Sequence, residues 1–180
     1  MDASLFLLIN GAHVPAVDDL MLLASAVGRA GFVWFATAAI AAVFPARRMG
    51  AWRLVLAVGF TYLMVDGVLK PLLPRERPFE VLAEARLIDQ RPVTSSFPSG
   101  HAAAAVAGAL AASRLLPEAR IAWWVLAAAI AISRVYVGAH WPSDVMAGAV
   151  IGFALGWFAL GGRRVSLTNS PAALPSSPTT

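Results

Sequence analysis

Hydrophobic residues run through this chain in blocks separated by short polar stretches. Five blocks are long and apolar: residues 31–45, 51–73, 100–116, 121–138 and 145–160. Helix is the only open backbone structure that satisfies its own polar groups in lipid, so each block predicts a transmembrane helix. The first is short and borrows a turn from residues 27–30. The last three blocks are rich in Ala and Gly, which let helices approach closely in membranes. Gly148, Gly152 and Gly156 recur every fourth residue. They predict a packing ridge inside the bundle in preference to a dimer seam.

The N-terminal stretch is mixed. Residues 5–9 and 21–27 are apolar, and Asn10, His13, Pro15, Asp18 and Asp19 lie between them. That polar set is expensive at mid-bilayer. Two short helices lying at the interface are expected, with a sixth, bent span as the alternative. Residues 165–180 are rich in Ser, Pro and Thr, a composition that predicts disorder. Residues 1–164 then form one integral membrane domain. The expected fold class is all-α: a polytopic membrane helical bundle with five spans plus the N-terminal interfacial helices.

Composition agrees with this. Of 180 residues, 59% are apolar and 13% charged, against roughly 25% charged in an ordinary soluble domain. Mean hydropathy is +0.71. A soluble chain this short has too much surface to hide so many apolar side chains. There is no cysteine, which excludes disulfides, thiol nucleophiles and thiolate metal sites. The three histidines, His13, His101 and His140, are too scattered for an obvious metal cluster. The net charge of +4 sits between hydrophobic blocks and not along one face, so nucleic acid is a poor partner. The lipid bilayer is the expected partner, and oligomeric state is not encoded legibly.

Charge in the loops orients the bundle. One side collects Arg47, Arg48, Arg53, Arg114, Arg120, Arg163 and Arg164. The other collects Arg29, Lys70, Arg75, Arg77, Arg86, Arg91 and Arg134. Setting aside Lys70, Arg77 and Arg134 as candidate site residues leaves the first side more basic. The first side is therefore expected in the cytoplasm, with the second facing the periplasm or the cell exterior.

All the unusual polar residues fall on that second side. The second block ends at Lys70, a polar loop follows, and the third block opens at Ser99, Gly100 and His101. The fourth ends at Ser133 and Arg134, and the fifth begins after His140, Trp141, Pro142, Ser143 and Asp144. Span parity alone brings these ends together. Lys70, Arg77 and Arg134 offer three cations, and guanidinium forks suit phosphate oxygens. Ser99 and Gly100 open a helix, whose N-terminal amides favour anions. Asp144, in the first turn after Pro142, is placed to orient one nitrogen of His140 and leave the other to attack. His101 is placed to protonate a leaving oxygen.

Three motifs carry a family resemblance. Lys70, six residues, then Arg77 and Pro78 is the first. Pro98, Ser99, Gly100 and His101 form the second. Ser133 and Arg134, five residues, His140, three residues, then Asp144 form the third. Together they resemble the type 2 phosphatidic acid phosphatase family, related to vanadium haloperoxidases and glucose-6-phosphatase. The match covers residues 50–160 closely. The stretch from Ile9, Asn10 and Gly11 through Asp18 to Met21 is similar, more weakly, to small bacterial undecaprenyl-pyrophosphate phosphatases.

The resemblance implies roles by position. Lys70, Arg77, Ser99, Gly100 and Arg134 would bind the phosphoryl group. His140 would be the nucleophile and form a phosphohistidine, Asp144 would orient it, and His101 would be the general acid. No metal or cofactor is implied. The expected substrate is a membrane lipid phosphate or pyrophosphate, with undecaprenyl pyrophosphate favoured over phosphatidic acid, phosphatidylglycerol phosphate and lipid A phosphates. A vanadate-dependent oxidase and a non-enzymatic lipid carrier are the remaining classes.

Several residues have duller expectations. His13 is expected at the interface without a catalytic part. Arg75, Arg86 and Arg91 alternate with Glu76, Glu80, Glu84 and Asp89, the pattern of a solvated loop. The six tryptophans mostly lie near block ends, where aromatic belts form. Asp66 lies one turn before Lys70 and is expected to pair with it or with the backbone.

Overall fold

The computed structural model describes residues 1–162, and the expected disordered tail lies outside them. The helices are α1 (Asp2–Asn10), α2 (Pro15–Gly28), α3 (Phe32–Ala42), α4 (Arg48–Tyr62), α5 (Lys70–Leu72), α6 (Pro78–Val81), α7 (Gly100–Leu115), α8 (Arg120–Tyr136) and α9 (Pro142–Ala159). No strand occurs among the described residues. Four stretches are long and apolar enough to cross a membrane: Pro15–Ala42, Pro45–Leu72, Pro117–Tyr136 and Pro142–Ala159.

Two expectations about the spans change. The interfacial helix expected at 21–27 and the span expected at 31–45 fall in one 28-residue stretch. It kinks at Ala30 and Gly31, both with positive φ. The block at 100–116 is also different in kind. It forms α7, only 16 residues long, or roughly 24 Å at 1.5 Å per residue. It packs against α4, α8 and α9, and its alanines are almost wholly buried. Small side chains make α7 a central post rather than a lipid-facing wall. The outer helices carry the large exposed apolar residues, among them Phe32, Ile40, Leu56, Val125, Val150 and Phe158.

The glycine ridge is internal, as expected. A Cβ on Gly148 would meet the Ser99 carbonyl, and one on Gly152 would meet the Ala103 backbone. Gly156 abuts Ala107. Helices α7 and α9 therefore touch backbone to backbone, and this contact sets where Ser99 stands relative to Asp144. Trp34 departs from the belt expectation. It is fully buried, lies where a Cβ on Gly108 would go, and meets Trp123 edge-on at 6.1 Å.

Between α4 and α5 the chain winds as a π-turn over Leu63–Leu69, and the Lys70 amide bonds Val65, five residues back. Such turns cluster at functional sites. The polar N-terminal set is satisfied by pairing. Asn10 is buried and donates to the Arg86 and Tyr136 carbonyls at 2.9 and 2.7 Å, while accepting from the Arg86 amide. His13 lies 2.8 Å from Asp18, which also accepts from the Tyr136 hydroxyl at 2.6 Å. His13 thus has a structural place, packed on Tyr136 and paired with Asp18.

Candidate active site

The site is built where α5, α7, α8 and α9 end or begin, under the loop from residue 82 to residue 99. Ser99 caps α7, accepting from the Ala102 amide at 3.4 Å. The Ser99 amide donates to the Asp144 carbonyl at 3.0 Å. After α8 the chain turns back through Gly138, at φ +85°, where a Cβ would collide with the Arg86 carbonyl. The Ala139 and His140 amides both bond the Arg134 carbonyl at 3.1 Å. This tight turn presents Arg134 and His140 together.

His140 is almost wholly buried. Its Nε2 lies 3.4 Å from Arg77 Nη1. Its Nδ1 lies 3.6 Å from Asp144 Oδ2. That is long for a hydrogen bond, and such contacts often tighten only when substrate binds. Burial pushes the imidazole well below the ordinary histidine range. Asp144 opposes this, and Arg134, Arg77 and Lys70 reinforce it. His140 is therefore neutral at pH 7, the form a nucleophile needs.

Asp144 is fully buried and anchored from several sides. Oδ2 accepts from Ser96 Oγ at 2.5 Å and the Trp141 amide at 2.9 Å. Oδ1 accepts from Arg75 Nη1 at 2.5 Å. Arg75 also donates to Ser143 Oγ at 2.8 Å and Asp2 at 2.8 Å. It stacks over Trp141, 5.4 Å from the ring centroid. The solvated-loop expectation for Arg75 is thus wrong: it reaches from the loop into the site and ties α1 to α9.

The cations are held differently. Arg77 is 2% exposed and donates to the Thr94, Ser95 and Ala139 carbonyls at 2.9, 3.1 and 2.6 Å. Its guanidinium faces neutral partners, and no carboxylate pairs with it among the described residues. Burial, with Arg134 nearby, pulls its pKa down to about 10, so it stays charged. Lys70 is paired with Asp66 at 2.5 Å, as expected for Asp66. A Cβ on Gly100 would strike that same carboxylate. Arg134 bonds Ser25 and reaches Asp89 at 2.9 Å. Asp89 also accepts from Ser25 and Arg29. Burial raises its pKa, but the hydrogen bonds from Ser25, the Gln90 amide and Arg134 outweigh this and lower it. Asp89 is a second correction to the solvated-loop expectation.

The structure therefore brings Lys70, Arg77, Ser99, Gly100, Arg134, His140 and Asp144 into one buried cluster. His101 sits one residue into α7. It lines a cavity with Arg134, and its Nε2 is buried without a hydrogen-bond partner.

A family model described as the PAP2 superfamily matches residues 50–165. The chain belongs to the PAP2 superfamily. Among PAP2 relatives, it is 34% identical over 158 residues to an undecaprenyl-diphosphatase of Sulfolobus acidocaldarius, covering 84% of this chain and 73% of that one. It is also 34% identical over 149 residues to a decaprenylphosphoryl-5-phosphoribose phosphatase of Mycobacterium tuberculosis, covering 78% and 80%. The crystal structure of Aquifex aeolicus LpxE superposes with a TM-score of 0.76 at 30% identity, covering 88% of this chain and 94% of that one. The chain is a lipid phosphatase of the PAP2 superfamily and a membrane protein.

The residues that are not specified positions of the three motifs were the ones missed. Arg75 stands two positions before Arg77, inside the first motif's spacer. That proximity was its only signal. Asp89 has no signal in the sequence, because its partners Ser25, Arg29 and Arg134 are all remote.

Proposed function

We propose that this PAP2 protein hydrolyses the terminal phosphate of an isoprenoid pyrophosphate, with undecaprenyl pyrophosphate the favoured substrate, through a phosphohistidine on His140. The observation that carries it is the placement of His140: neutral, with Nε2 3.4 Å from Arg77 and Nδ1 turned to Asp144. The names of both relatives above carry a long isoprenoid tail, which supports an isoprenoid substrate, and the first names a diphosphate.

In the first step His140 Nε2 attacks phosphorus, and the bond to the leaving oxygen breaks. Arg77, Lys70, Arg134, Ser99 and the Gly100 amide hold the phosphoryl oxygens and stabilise charge developing on them. His101 gives its proton to the leaving oxygen. In the second step water attacks the phosphorus–nitrogen bond while His101 takes a proton from it, and inorganic phosphate departs. The headgroup is handled at the outer membrane surface while the tail remains in the bilayer.

Purified protein in detergent, offered isoprenoid pyrophosphates beside glycerophospholipid monophosphates, tests the substrate class. A quench without acid should trap phosphate on His140 in the wild type. His140→Ala should keep lipid binding and lose turnover. Full activity in that variant ends the mechanism, and preference for a glycerophospholipid ends the substrate assignment.

A further inference from the structure

Beside His101 lies a cavity of about 160 Å³, lined by Arg29, Asp89, Gln90, Arg91, His101 and Arg134 among others. That is room for about five waters at roughly 30 Å³ each, and so for one phosphate group. Arg77, Lys70 and His140 do not line it. It is adjacent to the nucleophile's site and distinct from it, with Arg134 and His101 at the boundary.

We propose that this cavity is a second phosphate subsite, holding the phosphate that stays on the lipid, with Arg29 and Arg91 as its recognition residues. The inference rests on the pyrophosphatase reading and deepens it. On the proposed mechanism His101 protonates the leaving group, so the cavity it lines is where that mechanism puts the leaving group. A tail leaving directly as an alcohol calls for an apolar wall there. The wall found includes Pro92 and apolar side-chain stems, but it also carries three guanidinium groups and one carboxylate, a net positive charge suited to an anion.

The carboxylate supplies independent support. Asp89 Oδ1 accepts from Arg29 Nη2 at 3.0 Å, and Asp89 Oδ2 accepts from Arg134 Nη1 at 2.9 Å. Asp89 thus holds Arg29 and Arg134 side by side on one wall of the cavity. Each guanidinium has five N–H donors, so both keep donors for a phosphate on the cavity side. Arg91 is exposed, with its guanidinium over the Phe79 ring at 5.1 Å. His101 completes the wall.

The chemistry balances. The terminal phosphoryl group transfers to His140 Nε2, and the bridging oxygen keeps the electron pair of the broken bond. That oxygen stays on the lipid phosphate, which takes the proton from His101. Water then releases inorganic phosphate and restores His140.

The test compares farnesyl diphosphate with farnesyl monophosphate in detergent, using wild type, Arg29→Gln, Arg91→Gln and the double variant. Loss of one charge-assisted hydrogen bond corresponds to about tenfold or more. The variants should lose about that in kcat/KM on the diphosphate and several-fold less on the monophosphate. Inorganic pyrophosphate should inhibit the wild type more tightly than orthophosphate, and the double variant should lose that advantage. Arg91→Gln, an exposed change, serves if the double variant does not fold. Parallel losses on both substrates, or no loss, overturn the subsite. A wild type that hydrolyses the monophosphate but not the diphosphate overturns the underlying function as well, so the two failures are told apart.

Discussion

Arg75 Nη1 donates to Asp144 Oδ1 at 2.5 Å, on the carboxylate oxygen opposite the one that faces His140. The pair fixes the carboxylate plane, and Asp144 in turn sets the imidazole. Asp144→Asn keeps the shape but loses the charge and one acceptor oxygen, and kcat should fall on the order of 10⁴-fold. Arg75→Gln should cost about tenfold, in kcat more than in KM, and Arg75→Lys should recover part of it. Steady-state kinetics on one lipid substrate check this. An Arg75→Gln enzyme with wild-type kcat would reduce Arg75 to a surface clasp.

The two histidines should separate by leaving group. His101→Ala should slow phosphoenzyme formation severely on a lipid alkoxide. It should cost much less on p-nitrophenolate, which needs little protonation. His140→Ala should be equally inactive on both. Single-turnover bursts read the first step directly. An equal loss for His101→Ala on both substrates leaves that residue as a phosphate ligand only.

Much of this site was legible because its chemistry sits at helix ends. A Lys, two Arg, two His and an Asp beside long apolar blocks have few inexpensive structural explanations, and span parity gathers them. What stayed hidden depends on contacts across the fold. Arg75 looked like one member of an alternating charged loop until α1 and α9 placed Asp2 and Ser143 beside it. Trp34 looked like a belt residue, because nothing local shows that Gly108 leaves space for an indole. The post-like role of α7 was hidden because hydropathy says that a block is apolar and not whether lipid or other helices surround it.

Acid should destabilise the fold in two stages. The pKa of His140 is lowered on folding, so the unfolded chain binds the extra proton. Stability is therefore lost as pH falls below the ordinary histidine value of about 6.5. Asp89 is also lowered, so its contribution is present above the ordinary carboxylate value of about 3.9 and fades as pH falls further. Thermal unfolding in detergent across pH 2.5 to 8 should show both losses in wild type and a flatter upper region in His140→Gln. Identical profiles contradict the assignment.

The α7–α9 contact should tolerate no added carbon. Gly152→Ala forces a Cβ into the Ala103 backbone and should cost about 1–3 kcal/mol. Gly59 lies inside α4 with nothing within 4 Å of an added Cβ, so Gly59→Ala should raise stability by about 0.5–1 kcal/mol. Thermal midpoints of the two variants decide it. Equal midpoints would mean that α7 and α9 separate easily.

Orientation is open to a direct check. Glu84→Cys, in the loop over the site, should react with an impermeant thiol reagent in intact cells. Glu118→Cys, between α7 and α8, should not. The reverse pattern places the site in the cytoplasm.

The π-turn before Lys70 has a further consequence. An α-helix advances about 100° per residue, so one residue more or fewer in a turn swings everything beyond it by more than a quarter revolution. Residues Leu63–Leu69 are wound one residue wide, so the compass bearing of Lys70 follows from how many residues precede it as well as from what they are. Substitutions along this stretch can preserve that bearing, whereas a single-codon deletion would turn the lysine away from Asp66 and the site. Drift in identity and drift in length are thus unequal hazards for this segment.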